Sequence, residues 1–218
     1  MVNGIDVSAY QPGVDFGQVH DAGYSFVYIK ATESTNYTSA TFAAQWQDAG
    51  AAGMLCGGYH FFDFNADPAA QARFFLSVCP PQKGALPPML DLETTDGVPP
   101  AGQNVAAVAT FLNIVQHATG VRCVLYVNDG CWSGTLGATG DFSGHPFWAP
   151  SYLEGVTAPP PSSKTPPILQ PPPPQITAWE SWTFWQYSQS GTVAGIDGGV
   201  DLDVFNGSLD ELRALCQN

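Results

Sequence analysis

Over residues 4–127, short apolar runs alternate with stretches whose apolar positions recur every three or four residues. The first pattern suits a buried strand, the second a helix with one buried face. Gly4-Ile5-Asp6-Val7-Ser8 predicts a first strand, and Asp15 to Ala22 a short helix stopped by Gly23. Tyr24 to Lys30 predicts the second strand. Ser39 then offers an N-cap for a helix that aligns Phe42, Trp46 and Ala49 and ends near Gly50. Met54 to Phe62 is the third strand. Asp67-Pro68 opens a helix through Phe74, Phe75 and Val78, with proline at the first helical position, where its missing N–H has no partner to lose. Pro88 to Glu93 is the fourth strand. Gly102 to Thr119 places Val105, Val108, Leu112 and Val115 on one helical face, and Val121 to Val127 is the fifth strand.

Such regular alternation implies parallel strands joined by helical crossovers. Beyond residue 130 the rhythm fails. Pro146 to Ala149, Ser181 to Tyr187 and Val200 to Phe205 read as strands with no long helix between them, and Leu209, Leu212 and Leu215 mark a closing helix. The interval 158–174 holds nine of the 19 prolines and no apolar period, which predicts an exposed, partly polyproline loop. The expected architecture is one α/β domain over residues 1–218, an irregular barrel.

Composition narrows the partners. With 44% hydrophobic residues, including 13 Phe, 8 Tyr and 6 Trp, the chain carries enough apolar surface for a core. No apolar run approaches the roughly 18 residues of a membrane span. Nineteen acids against six bases give a net charge of −13, which disfavours tracking of a nucleic-acid backbone, and no Lys/Arg run exists to dock on an anionic membrane. The five cysteines form no C-x-x-C and no zinc-type spacing with histidine, so no metal site is expected, and no cofactor is expected either. Cys56 and Cys123 lie in apolar runs, as buried thiols do; a Cys123–Cys131 disulfide stays open.

The ends of the predicted strands are unusually polar: Asp6, Lys30, Tyr59-His60, Asp91 with Glu93, and Tyr126. In a parallel α/β barrel, functional groups gather at these carboxyl ends. Asp91 and Glu93, two apart on an extended chain, leave the same face roughly 6.5–7 Å apart. Cleaving an acetal needs a proton on the leaving oxygen and negative charge near the developing oxocarbenium ion. Two neighbouring carboxyls supply both when repulsion keeps one protonated and leaves the other ionised. The bland alternative is a pair that caps a helix or holds a cation, and Asp-x-Glu alone does not decide between them.

Further motifs carry a resemblance. Gly4-Ile5-Asp6-Val7-Ser8 with Tyr10-Gln11, then Phe26 to Glu33, Gly58-Tyr59-His60-Phe61, Met89 to Glu93, Trp148 to Tyr152, Trp185-Gln186-Tyr187 and Gly199 to Phe205 occur in one order along the chain. Together they resemble the family 25 glycoside hydrolases, the Chalaropsis-type lysozymes. That resemblance implies a (β/α)5β3 barrel, a TIM-like fold, and an N-acetylmuramidase cutting the β-1,4 bond between N-acetylmuramic acid and N-acetylglucosamine in peptidoglycan. Carried over by motif, Glu93 is the general acid. Asp91 positions or charge-stabilises the substrate acetamido group or acts as nucleophile, and Asp6 and Asp201 are further acids of the cleft floor. Tyr59, Tyr126, Trp148, Tyr152, Trp185 and Gln186 fall where the family lines its glycan cleft. Aromatic faces pack on sugar rings while amides bind hydroxyls.

Several residues keep competing roles. Lys30 either pairs with Asp6 or Asp91, lining the substrate site, or is a solvated amine. His60 reads as a satisfied core histidine, Phe42 and Trp46 as core, and Asp203 as solvated, with Asp201 holding the family position. The resemblance implies a monomer acting on the cell wall, secreted or as a phage endolysin. No signal peptide and no separate wall-binding domain are read in the chain. The rival is a glycan-binding module on the same barrel that has lost turnover; retention of Asp6, Asp91, Glu93 and Asp201 argues against it. A zinc amidase or cysteine peptidase is disfavoured, because His20, His60, His117 and His145 form no ligand motif.

Overall fold

The computed structural model describes residues 1–94, 97–153 and 176–217. Its strands are β1 (Val2–Val7), β2 (Phe26–Glu33), β3 (Tyr37–Thr38), β4 (Leu55–Phe61), β5 (Met89–Leu92), β6 (Val124–Val127), β7 (Phe147–Pro150), β8 (Phe184–Gly191) and β9 (Val200–Phe205). The helices are α1 (Phe16–Asp21), α2 (Phe42–Ala51), α3 (Pro68–Val78), α4 (Ala101–Thr119) and α5 (Leu209–Ala214), with one π-turn at Cys131–Thr135. Eight strands close a barrel in the order β1-β2-β4-β5-β6-β7-β8-β9, sealed by β9 against β1; β3 is a short hairpin partner of β2. Neighbours are parallel from β1 round to β8, and β9 is antiparallel to both β8 and β1. Four strand–helix units and a fifth closed by the π-turn precede three strands without crossover helices. This is the (β/α)5β3 arrangement the sequence implied.

Local chemistry explains most boundaries. Asp15 caps α1 by accepting from the Gln18 amide at 3.0 Å, and Gly23 ends it in the left-handed region at φ +97. Asp67 caps α3 by accepting from the Ala70 amide at 2.6 Å. One cap differs from expectation. Thr41, not Ser39, holds the N-cap of α2, and its hydroxyl bonds to Gln45 in the helix rather than to a backbone amide. The two-residue β3 escaped sequence reading because it is exposed and too short to show a period. The proline-rich interval 158–174 lies outside the described residues.

Alternation divides the apolar residues into two cores. Facing out, under the helices, are Ile5, Val27, Ile29, Leu90, Leu92, Leu125 and Trp185. Facing in, Phe26, Tyr28, Trp148, Phe184 and Phe205 fill the lower barrel, with Trp148 stacked on Phe184 at 5.0 Å and edge-on to Tyr28 at 4.9 Å. Gly4 and Gly57 make room for this layer: a Cβ at either would run into the Phe26 or the Tyr28 ring. All five cysteines are free, so no Cys123–Cys131 disulfide forms.

Candidate active site

Above the aromatic plug, the inward positions turn polar. Asp6 on β1, Tyr59 on β4, Met89 and Asp91 on β5, Glu93 just beyond it and Tyr126 on β6 point into one pocket of about 260 Å3. Tyr152, Gln186, Gln189 and Asp201 complete the lining. The pocket therefore opens at the carboxyl ends of the parallel strands, as this architecture dictates. β9 runs the other way, yet its register sets Asp201 directly opposite Asp6. All four acids expected from the sequence converge here, with Tyr59, Tyr126, Tyr152 and Gln186.

Gln186 ties the floor together. Its Nε2 donates to Asp6 Oδ2 at 2.7 Å, and its Oε1 accepts from the hydroxyls of Tyr126 at 2.8 Å and Tyr152 at 3.1 Å. Tyr152 is 46% exposed and forms the rim, whereas Tyr59 and Tyr126 are buried.

The carboxyls share a desolvated space, and each is harder to ionise than in water. Burial pushes Asp91 well above the ordinary aspartate range, reinforced by the negative Glu93 and Asp6 and opposed by Lys30. One Asp91 oxygen, Oδ1, is buried without a partner. Burial also raises Glu93, against the pull of Lys30. Burial lifts Asp6 to about 6, held back by hydrogen bonds from Gln186, Asp203 and Asp201. Asp201 rises to about 8, through burial first and the Asp6 charge next. This corrects one expectation. Desolvation, rather than an anionic companion, is the main force on Glu93, and the more deeply buried Asp91 feels the stronger push.

Four other placements depart from the sequence reading. Trp185 faces outward, 1% exposed, and its indole N–H donates to Ser151 O at 2.8 Å. It is core between barrel and outer layer and does not line the cleft. Trp148 faces inward but is fully buried below the pocket floor, so it supports the site without lining it. Lys30 pairs with neither Asp6 nor Asp91; its Nζ bonds Glu33 Oε2 at 2.6 Å and sits 4.8 Å from the Phe61 ring centre. Asp203, expected in solvent, is fully buried beneath Asp6. His60 matches its reading: buried, between Thr32 at 2.7 Å and Gln71 at 3.1 Å, and stacked on Phe111. Met89 and Gln189 were missed. Alternation with Asp91 reveals Met89, but Gln189 follows register shifts in β8 after Gln186 that no sequence period records.

A model of the glycosyl hydrolases family 25 matches residues 5–196. The chain belongs to this family. The family 25 chain is 36% identical to Lysozyme M1 of Streptomyces globisporus, over 100% of its own length and 72% of that protein's. It is 33% identical to the N,O-diacetylmuramidase of Chalaropsis sp., over 98% of each. Its structure superposes on a bacterial lysozyme from Streptomyces coelicolor with a TM-score of 0.88 at 33% identity, covering 99% of this chain and 96% of that one. The family 25 barrel and its acid-lined mouth thus agree with the fold and chemistry derived from the strands.

Proposed function

We propose that this peptidoglycan hydrolase cuts the β-1,4 bond between N-acetylmuramic acid and N-acetylglucosamine, with Glu93 as general acid. The observation that carries the reading is the convergence of Glu93 and Asp91 with Asp6 and Asp201 in one tyrosine-rimmed pocket. Glu93, partly exposed and raised by burial, holds a proton where a glycosidic oxygen can reach it. As the C1–O bond breaks, that proton passes to the leaving sugar, and positive charge develops at C1. Asp91 on the same strand face orients the acetamido group beside that carbon. Asp6 and Asp201 form the floor, and Tyr59, Tyr126, Tyr152 and Gln186 hold the sugar rings and their hydroxyls. Water then adds to C1 and gives its proton back to Glu93, leaving a new reducing end.

The same reading takes residues 1–218 as one catalytic domain that works as a monomer at the cell wall, secreted or as a phage endolysin. The net charge of −13 supports glycan strands over nucleic acid or an anionic membrane surface. No helix among the described residues is long and apolar enough to cross a membrane.

Digesting purified peptidoglycan with the wild type and Glu93→Gln, followed by mass spectrometry, tests the assignment. The variant is expected to fold and release no reducing ends, while wild-type fragments carry N-acetylmuramic acid at the new end. An active Glu93→Gln removes Glu93 as the acid. N-acetylglucosamine at the new end makes the enzyme a glucosaminidase.

A further inference from the structure

Asp203 is 0% exposed, and neither carboxyl oxygen has a hydrogen-bond donor as an ordinary carboxylate would need. It occupies the inward row of β9, with Gly4 opposite on β1 and Gln186 opposite on β8. Gly4 has no side chain, and the Phe26 ring occupies the space beside it, so β1 offers the carboxyl no side-chain partner at this level. A carboxylate here would lie in a low-dielectric interior beside a second acid, an arrangement that is strongly unfavourable unless a proton removes the charge.

The titratable groups that bear on it are Asp6 from β1, Asp201 from its own strand, Tyr24 ahead of β2 and Tyr187 on β8. Each is neutral or negative at neutral pH, so none compensates an anion. The Trp148 indole N–H, itself without a hydrogen-bond partner, is the one group that favours the charged form. Asp6 shows the complementary behaviour, since its contact with Asp203 favours the Asp6 anion.

We propose that Asp203 is a positioning residue that stays protonated at neutral pH and donates its hydrogen to Asp6, holding Asp6 ionised and oriented at the pocket floor. The inference rests on the reading of the pocket as the hydrolytic site, and it adds a neutral acid to that machinery. Asp6 is then the acceptor at the centre of three donors: the Gln186 amide, Asp201 directly across the seam and Asp203 from below. A neutral acid below supplies a donor without adding a second negative charge. That distinction makes the role testable, because asparagine also offers a neutral N–H donor of the same shape.

Asp203→Asn and Asp203→Leu, assayed for reducing-end release from pH 4 to 9, separate the possibilities. Asp203→Asn is expected to keep kcat within about threefold and to leave the acid limb where it is in wild type. Asp203→Leu, branched like aspartate but bulkier and without a donor, is expected to move that limb upward by about one pH unit and to lower kcat by about tenfold, with KM little changed. If Asp203→Asn shifts the limb as far as Asp203→Leu, the negative charge is what matters and the proposal fails.

A second measurement holds even if Asp203→Leu does not fold. In wild type the folded state keeps the Asp203 proton, whereas the unfolded chain releases it near the ordinary value of about 4. The folded state therefore binds more protons above pH 4, so wild type loses stability as pH rises, and Asp203→Asn does not share that loss. The gap between their urea midpoints is expected to widen in favour of Asp203→Asn between pH 4 and 7. A gap that stays constant or narrows overturns a protonated Asp203. Loss of activity in Glu93→Gln bears on the functional reading alone, since it leaves this gap unchanged.

Discussion

Replacing Gln186 with leucine tests whether one amide holds the pocket floor. Leucine is close in volume but removes the bond to Asp6 at 2.7 Å and the acceptor for Tyr126 at 2.8 Å and Tyr152 at 3.1 Å. A hydrogen bond to an ionised carboxylate is worth about 1.5–3 kcal/mol. The buried Tyr126 hydroxyl loses its best acceptor, which costs about 1–3 kcal/mol, whereas water replaces the bond to exposed Tyr152. Gln186→Leu is therefore expected to lose about 2.5–6 kcal/mol at pH 7.5, read from urea unfolding. The loss must depend on pH. Asp6 is raised to about 6, so it is charged at pH 7.5 and protonated at pH 5. Because Gln186 favours the charged form, its contribution is greatest above pH 6 and falls as pH drops through that value. A bond to a neutral acid is worth about 0.5–1.5 kcal/mol, so the penalty should shrink by about 1 kcal/mol at pH 5. An equal penalty at both values would refute the charge on Asp6 and the role of the amide in holding it.

Three further outcomes are expected. Trp185→Phe loses the N–H bond to Ser151 and should cost about 1–2 kcal/mol in unfolding experiments with KM unchanged; a higher KM at full stability would return Trp185 to the cleft. Tyr152→Ala, on the rim, should raise KM for peptidoglycan several-fold while the melting temperature stays within about 2 °C; a large drop in stability instead would make it a core residue. Burial pushes the Cys56 and Cys123 thiols up to about 12 and Cys131 to about 11. Iodoacetamide at pH 8 should leave all three unlabelled until urea is added, and rapid labelling of Cys123 in the folded protein, seen by mass spectrometry, would contradict its burial.

The parallel half of the barrel was legible because its strands are buried on both faces and its helices on one, so the period changes at each boundary. Asp91 and Glu93 were legible as a pair for the same reason: a two-residue spacing on a strand fixes a shared face. Alternation also shows why Trp185 was misplaced. It neighbours Gln186, which faces the pocket, so it must face the other way. Motif position drew it to the cleft, and strand parity excludes it. Asp203 shares the inward row of Asp201, two residues along. Its burial comes with closure of the barrel, which sets it opposite Gly4, far away in the sequence. Lys30 turned to Glu33, three residues along the same strand, where the register shift between Lys30 and Thr32 interrupts the alternation.

The seam where β9 meets β1 has a consequence for synthesis. Asp6 and Gln186, bonded at the pocket floor, stand 180 positions apart along the chain. An emerging polypeptide displays Asp91 and Glu93 long before its final strand leaves the ribosome, and until then the cylinder is an open sheet with wet acids. Joining such distant segments is the slow, late step of folding. The capacity to cut a wall thus arises only when translation has delivered the last staves.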